Sequence, residues 1–348
     1  MVSFLAQVLV FVHKLMLVLL LLGVGCLGAS RVYVMCQKGF AHFLGLVDSD
    51  QWDQDIAALR QRAKEAAEQA ERTAARRRLQ GELEAGGALP ARLDVVCAGG
   101  GLEVSYACGV LLALGHGDAS VQRAAGANAG ALAGFVMTTG QFDASVRFGM
   151  AVACTLEKYP WMRPGPMWDF FCRRCALRAP VPAEGSLAVS MTELVSPLPP
   201  RGVNRLVSTF ESKEALGEAL VASAAVPWLT CRGPWAAWRG SRWLDGGLTN
   251  GVPHFRDGRR PQLVIRYDFL ERRPRGRCRG IYLRPADVLE LIGRGVDDGA
   301  ALLAGERPPG LKVLSPEEAV QVPPAAELTL LSAPRLAWSA MRGLVLKN

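Results

Sequence analysis

The chain has 348 residues, of which 50% are apolar and 21% are charged, a composition that excludes wholesale disorder and a protein of many membrane spans. Lysine and arginine outnumber aspartate and glutamate by 40 to 32, and the formal net charge of +8 suits anionic partners such as phospholipid headgroups or nucleic acid. The nine cysteines are odd in number and scattered, so we interpret them as reduced thiols rather than as a disulfide framework.

The N-terminal 30 residues contain a long apolar run, from Phe4 to Gly28. A helix of this length, at about 1.5 Å per residue, exceeds a bilayer core of about 30 Å. We therefore predict that residues 1–30 form a single-pass transmembrane anchor, and Arg31 and Lys38 favour a cytoplasmic body. The alternative is a cleavable signal peptide with its apolar core at Leu15–Gly28, because small residues follow that core.

Residues 31–90 are predicted to be a charged helical spacer between this anchor and the main domain. Trp52 to Leu83 are rich in Ala, Glu, Gln and Arg and contain no Pro and no Gly before Gly81, a composition that favours a helix. Because its apolar side consists of Ile56, Leu59 and alanines, we expect the helix to lie on a surface or to separate the anchor from the body.

From residue 91 the pattern changes to short apolar runs that alternate with helical stretches. Strands are predicted at Leu93–Ala98, Val121–Gly126, Leu187–Met191, Leu206–Thr209 and Arg242–Leu244, and helices at Ser105–Leu114, Ala129–Thr138 and Glu214–Ala225. Strands that alternate with helices favour a parallel, largely covered sheet, so we predict an α/β domain over residues 91–255.

The first of three motifs that carry candidate chemistry is the run Gly99, Gly100 and Gly101. It lies after a predicted strand and before a predicted helix, where backbone amides can hold a phosphate or a developing oxyanion. A tight turn would also need glycine. The glycines are contiguous and lack the wider spacing of a dinucleotide-binding loop.

The other two motifs also follow predicted strands. The stretch from Gly126 to Gly130 has the spacing of a nucleophile elbow, in which small flanking residues let a strand turn sharply into a helix, but its central residue is Asn128. In the third motif Asp245 precedes Gly246 and Gly247, so its carboxylate could project from a strand end. A turn-forming Asp-Gly pair is the alternative interpretation.

In combination the three motifs resemble the patatin-like phospholipase family, and particularly its animal-type triacylglycerol lipase branch, over roughly residues 93–253. Other segments that carry the resemblance are Ser105–Val110, Ser212–Leu216, Ala222–Pro227 and Asp245–Pro253. The resemblance implies an α/β/α sandwich with a mainly parallel central sheet and no cofactor. It also implies that an elbow serine attacks a lipid ester, that an aspartate acts as base in place of the usual histidine, and that the glycine loop binds the oxyanion.

On this chain the resemblance assigns the base to Asp245, oxyanion donation to the amides of the three loop glycines, and the nucleophile position to Asn128. A carboxylate cannot activate a carboxamide as an acyl acceptor, so the covalent mechanism cannot run through Asn128. Asparagine nevertheless tolerates the positive φ of an elbow, and its NH2 group could donate to Asp245. Val104 replaces a glycine of the loop, and Glu103 places a negative charge beside the oxyanion site.

We therefore predict a lipid acyl hydrolase domain that is catalytically impaired and whose partners are membrane lipids or acylglycerols. The alternatives are an active ester hydrolase with another nucleophile, for which Ser105, Cys108 and Thr249 are the nearest candidates, and a membrane-anchored scaffold protein. No metal site is predicted, because Cys172 and Cys175 form one C-x-x-C pair without two further ligands at matching spacing.

Residues 256–348 are predicted to be a basic loop and a C-terminal extension that packs on the domain. The segment Arg256–Arg284 contains ten arginines, which on an anchored protein could attract anionic lipid at about 1 kcal/mol per charge. A solvated loop without a partner is the alternative. A nucleic-acid role would need interleaved aromatic residues or a reader fold, and the sequence shows neither.

Overall fold

The computed structural model describes residues 37–80, 89–117, 120–160, 162–197, 200–227, 229–231, 233–267 and 283–325. The predicted membrane segment at residues 4–28 and the arginines between residues 268 and 282 lie outside these ranges. Within the described ranges, no helix is both long enough and apolar enough to cross a bilayer.

In the ranges that the structure describes, eight strands form one sheet, and the helices pack around it. The strands are β1 (Arg92–Cys97), β2 (Ser120–Ala127), β3 (Leu187–Pro197), β4 (Pro200–Val207), β5 (Ala236–Trp238), β6 (Ser241–Asp245), β7 (Gln262–Ile265) and β8 (Leu311–Leu314). The helices are α1 (residues 37–47), α2 (Asp53–Leu79), α3 (Val104–Leu114), α4 (Ala129–Thr139), α5 (Phe142–Lys158), α6 (Gly165–Arg178), α7 (Lys213–Ser223), α8 (Gly247–Asn250), α9 (Pro285–Leu303) and α10 (Pro316–Gln321). Short 3₁₀ turns at Asp50–Trp52 and Gly101–Glu103 precede α2 and α3.

The sheet is mixed, with a parallel centre. Its order is β5-β6-β3-β2-β1-β7-β8, and β4 pairs with β3 outside this path. The four neighbours β3, β2, β1 and β7 are parallel, whereas β4, β5, β6 and β8 pair in antiparallel fashion. The α/β class and the parallel centre are therefore confirmed, and the antiparallel flanks are an addition to the prediction.

Two predicted strands differ from those observed by more than one residue at an end. β3 continues to Pro197, beyond the predicted end at Met191, and β4 spans Pro200–Val207 instead of Leu206–Thr209. The two strands form a long antiparallel ladder, so backbone pairing extends both beyond the apolar residues that mark them in the sequence.

The two faces of the sheet are covered differently. Side chains of Leu187, Val189 and Met191 point to the face that carries the large hydrophobic core with α5, α6 and α7. Because side chains alternate along a strand, Ser190 and Thr192 point to the opposite face. In the described part of the chain, that face is covered by the short helices α8 and α10 and by the loop around Phe255.

Helices α3 and α9 cross with their backbones in contact. A β-carbon at Gly109 would lie 2.0 Å from the carbonyl oxygen of Ile292, and one at Gly295 would lie 2.1 Å from that of Tyr106. Real β-carbons do not approach so closely, so this crossing requires glycine on both helices.

Helix α2 packs on the domain through a stripe of small residues that recurs every three or four positions. Its buried residues are Ile56, Leu59, Ala63, Ala67, Ala70 and Ala74. The stripe lies against α9 and α3, and Arg62 forms an ion pair of 2.6 Å with Asp297 of α9. The helix predicted from composition thus forms, with its alanine side on the domain.

Residues beyond 255 contribute directly to the sheet. β7 lies beside β1 in parallel register, with Val95 opposite Leu263, and β8 pairs with the other edge of β7. The predicted C-terminal extension therefore supplies two strands, together with α9.

Candidate active site

The turn between β2 and α4 consists of a single residue, Asn128. Its backbone adopts φ 54° and ψ −128°, and among the described residues only Arg239 is another non-glycine residue with positive φ. This conformation is unfavourable for most side chains, and asparagine is one of the few that tolerate positive φ. The sharp turn predicted from the spacing is therefore present.

The glycines on either side of the turn are required by close backbone approach. A β-carbon at Gly126 would lie 2.2 Å from the carbonyl oxygen of Gly130. A β-carbon at Gly130 would lie 2.3 Å from the carbonyl oxygen of Cys97. The start of α4 therefore rests directly on β1 and β2, and this contact fixes where Asn128 lies.

Hydrogen bonds from both its side chain and its backbone hold Asn128. Its Nδ2 donates to Oδ2 of Asp245, and its Oδ1 accepts from the backbone N–H of Ala129 at 2.6 Å. Its own backbone N–H donates to Oγ of Ser223 at 3.0 Å. The bond to Asp245 is the contact expected from the sequence, and it provides a donor to a buried carboxylate.

The register of β3 explains why the two side chains meet. Along one edge of β3, β2 runs parallel and ends with Ala127 opposite Ser190, while β6 runs antiparallel and ends with Asp245 opposite Met191. The other edge of β3 is occupied by β4 over the same residues, so β2 and β6 share an edge. The two strands therefore approach each other end to end, and their C-terminal residues become neighbours.

Asp245 lies in a buried and restrained environment. It is 5% exposed, and its Oδ1 accepts a 2.7 Å hydrogen bond from the N–H of Gly247. Burial raises the pKa of Asp245 to about 6, against the hydrogen bonds from Asn128 and Gly247, which lower it. The carboxylate thus titrates near neutral pH, in a range suited to a general base.

The two glycines after Asp245 have separate roles. A β-carbon at Gly246 would lie 2.0 Å from the carbonyl oxygen of Ser190 in β3. The backbone contact with β3 therefore requires glycine at this position. Gly246 also donates its N–H to the carbonyl oxygen of Ser223 at 3.0 Å. At Gly247 a β-carbon would lie 3.0 Å from Oδ1 of Asp245, so the absence of a side chain lets its amide reach the carboxylate.

The glycine loop lies beside the elbow. A β-carbon at Gly99 would lie 3.1 Å from Cβ of Asn128. The N–H of Gly99 already donates to the carbonyl oxygen of Gly251 at 3.3 Å, whereas the amides of Gly100 and Gly101 have no acceptor within the described residues. Of the three amides assigned to the oxyanion site, Gly100 and Gly101 are thus the ones available to a ligand.

The loop also contains the two departures from the family pattern. Val104 is 6% exposed and begins α3, where it packs in the hydrophobic core. A β-carbon at Gly100 would lie 3.4 Å from Oε2 of Glu103. The carboxylate of Glu103 therefore lies close to the loop, and its negative charge opposes a second negative charge there.

No role was predicted from the sequence for Ser190, Thr192 and Ser223, which contact residues of the site. Ser223 is fully buried and donates to the carbonyl oxygen of Ser190 at 2.7 Å while it accepts from Asn128. Thr192 donates to the carbonyl oxygen of Asp245 at 2.7 Å, and its hydroxyl lies 2.7 Å from that of Thr249. The polar residues Ser190 and Thr192 at alternate positions of an otherwise apolar strand were the available signal.

The alternative nucleophiles lie in unsuitable surroundings. Ser105 and Cys108 are buried in α3, and burial raises the pKa of the Cys108 thiol to about 11, so it is not a thiolate at neutral pH. The hydroxyl of Thr249 contacts Thr192 and accepts from Asn204 at 3.1 Å. In the described structure none of the three hydrogen-bonds to the Asp245 carboxylate.

Four arginines of the predicted basic segment, among those that the structure describes, contact other residues of the chain. Arg256 donates to the carbonyl oxygen of Pro323. Arg259 pairs with Asp257 at 3.5 Å, Arg260 with Asp94 at 3.5 Å, and Arg284 with Asp287 at 2.9 Å. These guanidinium groups are therefore restrained by protein partners.

The predicted motifs fall within a stretch that is similar to known proteins. Residues 95–255 match the sequence model described as "Patatin-like phospholipase". A human protein, "Patatin-like phospholipase domain-containing protein 4", is 32% identical over 148 residues, which is 40% of this chain and 56% of that protein. The chain thus aligns with about half the length of this relative. The elbow, the glycine loop and Asp245 all lie within residues 95–255, the stretch that is similar to the patatin-like phospholipase family.

Proposed function

We propose that this domain binds lipid esters without hydrolysing them through the serine chemistry that the resemblance implies. The observation that carries the proposal is the side chain of Asn128, which occupies the elbow and donates to Asp245. The Asp245 carboxylate accepts this bond but leaves the amide hydrogen in place, because a carboxamide is far too weak an acid. The pair therefore lacks an activated nucleophile.

The ligand class follows from the family and from the loop. Acylglycerols and membrane phospholipids present ester carbonyl groups, and the amides of Gly100 and Gly101 are donors that can bind a carbonyl oxygen. Such binding stabilises the neutral ester. Glu103 beside the loop favours a neutral oxygen over an oxyanion.

The experiment is ester hydrolysis by the purified chain, measured with fluorogenic acyl esters of several chain lengths. We expect rates for the native chain that equal those of Asp245→Ala. Liposome flotation of a variant that lacks residues 1–30, with acylglycerol-containing vesicles, then separates a lipid binder from a scaffold protein, which would not float without the anchor. Hydrolysis by the native chain that Asp245→Ala abolishes would overturn the proposal.

A membrane location is a second part of this proposal, supported by the apolar run from Phe4 to Gly28. A spanning helix is held by apolar burial, which salt does not screen. We expect the chain to stay in the membrane pellet in both high salt and alkaline carbonate. Complete extraction by salt would contradict the anchor.

A further inference from the structure

A cleft of about 1030 Å³ lies along one face of α6, outside the candidate active site. The opposite wall is formed by α7 and the segment around Thr230 and Trp235, and Phe40 of α1 also lines it. None of its lining residues belongs to the glycine loop, the elbow or the Asp245 motif. Its volume lies just above the usual range for small-molecule sites, roughly 300–1,000 Å³.

The cleft is elongated because α6 and α7 run antiparallel. Nζ of Lys213, at the start of α7, donates to the carbonyl oxygen of Leu177 near the end of α6 at 3.2 Å. At the other end, Gly165 lies against the backbone of Thr230. Lining residues extend along the whole 14-residue helix α6, which corresponds to about 21 Å.

Apolar side chains line much of this length. Phe40 and Phe170 contact each other edge to face, with ring centroids 6.0 Å apart, and Val221 and Trp235 lie on the facing wall. Leu177 is 50% exposed, although it is a large apolar residue. An apolar chain laid along the cleft would remove this surface from water.

Four arginines line the cleft, and two of them have no carboxylate within ion-pair distance among the described residues. Arg173 pairs with Asp169 at 3.0 Å and with Glu218 at 3.3 Å. Arg174 is paired with Asp48.

The other two arginines are near opposite ends of α6. Arg163 donates to the carbonyl oxygen of Cys231 at 2.7 Å, which fixes its guanidinium at the wall without neutralising its charge. Arg178 forms no ion pair within 4 Å in the described part of the chain, but it lies near enough to Asp48 that, after the larger effect of Arg174, it contributes to the lowered pKa of that carboxyl. Arg173 holds both carboxylates of the cleft, and the guanidinium groups of Arg163 and Arg178 lie near its two ends.

We propose that this cleft binds a long-chain amphiphile with one anionic head, either a carboxylate or a phosphate monoester. The chain lies against Phe170, Leu177 and Val221, and the head meets a guanidinium at an end of the cleft. A guanidinium donates well to either head because it offers several N–H groups in one plane. A free fatty acid and a lysophospholipid with a phosphate monoester are the two sources of such a ligand.

The experiment is equilibrium binding to the purified full chain, with oleate and lysophosphatidic acid as probes. Oleyl alcohol tests the need for charge, and octanoate tests the need for a long chain. We expect both anionic long-chain probes to bind at least about 10-fold more tightly than either control, and the tighter of the two identifies the head. Equal binding of oleate and oleyl alcohol would overturn the proposal.

Variants locate the ligand. The double variant Arg163→Gln/Arg178→Gln should weaken oleate binding about 10-fold or more, whereas Arg307→Gln, an exposed arginine outside the cleft, should leave it unchanged. Leu177→Glu places a negative charge on an exposed position of the cleft and should also weaken binding. This variant tests the cleft while Arg163 and Arg178 are both intact. Binding that these variants leave intact but Asn128→Ala abolishes would place the ligand at the elbow and contradict the second site.

Discussion

Nδ2 of Asn128 donates to Oδ2 of Asp245 at the point where β2 and β6 meet end to end along one edge of β3. Backbone pairing sets both positions, since Ala127 lies opposite Ser190 and Asp245 lies opposite Met191. The flanking glycines then fix the turn. A different small side chain at position 128 should therefore still face the carboxylate.

The first prediction is a gain of function by Asn128→Ser. Loss of the nucleophile in a serine hydrolase can lower turnover by about 10⁶, so restoring the hydroxyl opposite Asp245 should raise ester hydrolysis above the native background. We expect the gain to be partial, because Glu103 and Val104 depart from the family's loop and a misplaced oxyanion donor costs roughly 3 to 4 kcal/mol. The measurement is turnover of a fluorogenic ester.

The control for this gain is the double variant Asn128→Ser/Asp245→Asn, which should return to background because the base is absent. Activity of the native chain that survives Asn128→Ala but disappears in Asp245→Ala would instead show that another residue is the nucleophile.

The second prediction concerns pH and Asp245. The pKa of Asp245 is about 6 in the folded chain, whereas the reference pKa of 3.8 applies to the unfolded chain. Between pH 3.8 and about pH 6 the folded state therefore binds more protons than the unfolded state. The resulting contribution to stability is fully present below pH 3.8 and is lost as the pH rises through about 6. Acidification from pH 7 to pH 4 should therefore stabilise the native chain relative to Asp245→Asn, by on the order of 3 kcal/mol.

Urea unfolding of both proteins at the two pH values measures this difference. A native chain whose stability relative to Asp245→Asn does not change with pH would show that the carboxyl group is not perturbed by burial.

The third prediction is that Gly126→Ala destabilises the fold, because the added β-carbon would lie 2.2 Å from the carbonyl oxygen of Gly130. Forced overpacking costs about 1–3 kcal/mol or more. Gly45→Ala is the matched control, since Gly45 is exposed in α1 and a β-carbon there meets nothing within 4 Å. It should stabilise by roughly 0.5–1 kcal/mol, as expected for alanine in a helix. Chemical denaturation distinguishes the two, and equal effects would argue against the tight elbow.

The fourth prediction concerns the buried carboxylate at the start of β1. Asp94 is fully buried and accepts from Nε of Arg123 at 3.0 Å and from Nη2 at 2.5 Å. Removal of one partner of a buried ion pair costs about 3–5 kcal/mol when the remaining charge is left unpaired. Because Arg123 keeps its ion pair of 2.6 Å with Asp257, Asp94→Ala should lower the free energy of unfolding by less than this, about 1.5–3 kcal/mol.

The control for Asp94→Ala is Asp143→Ala, which removes the exposed pair with Arg60 and should cost about 1 kcal/mol or less. Similar losses in urea unfolding for the two variants would contradict the strong coupling of Asp94 to Arg123.

Local signals in the sequence were sufficient for the elements that form the elbow. Val121–Gly126 and Ala129–Thr138 were predicted as a strand and a helix, and β2 and α4 occupy Ser120–Ala127 and Ala129–Thr139. The apolar run, the glycines and the residue types all favoured the same local structure there. β7 was not predicted, because its four residues are too few to establish a period and its place beside β1 depends on distant pairing.

In the candidate site, too, local motifs could be predicted from the sequence, whereas contacts between distant residues could not. Asn128 and Asp245 belong to recognisable motifs, and their contact could be anticipated from them. Ser223 acts through its contact with the backbone of Asn128, 95 residues earlier in the chain, and local composition does not encode such contacts. The amide of Gly99 was assigned to the oxyanion site because the sequence does not reveal that the carbonyl oxygen of Gly251 accepts from it.

Because β7 lies beside β1, the unit that folds extends beyond residues 95–255, the stretch that is similar to relatives. A polypeptide that ended at residue 255 would retain the elbow, the glycine loop and Asp245, yet β1 would lose its neighbour on one side. The backbone groups of β1 would then form an open sheet edge, and α3 would expose the glycine surface that α9 covers. Such a fragment should associate with other copies of itself through that edge, although every motif of the site is intact.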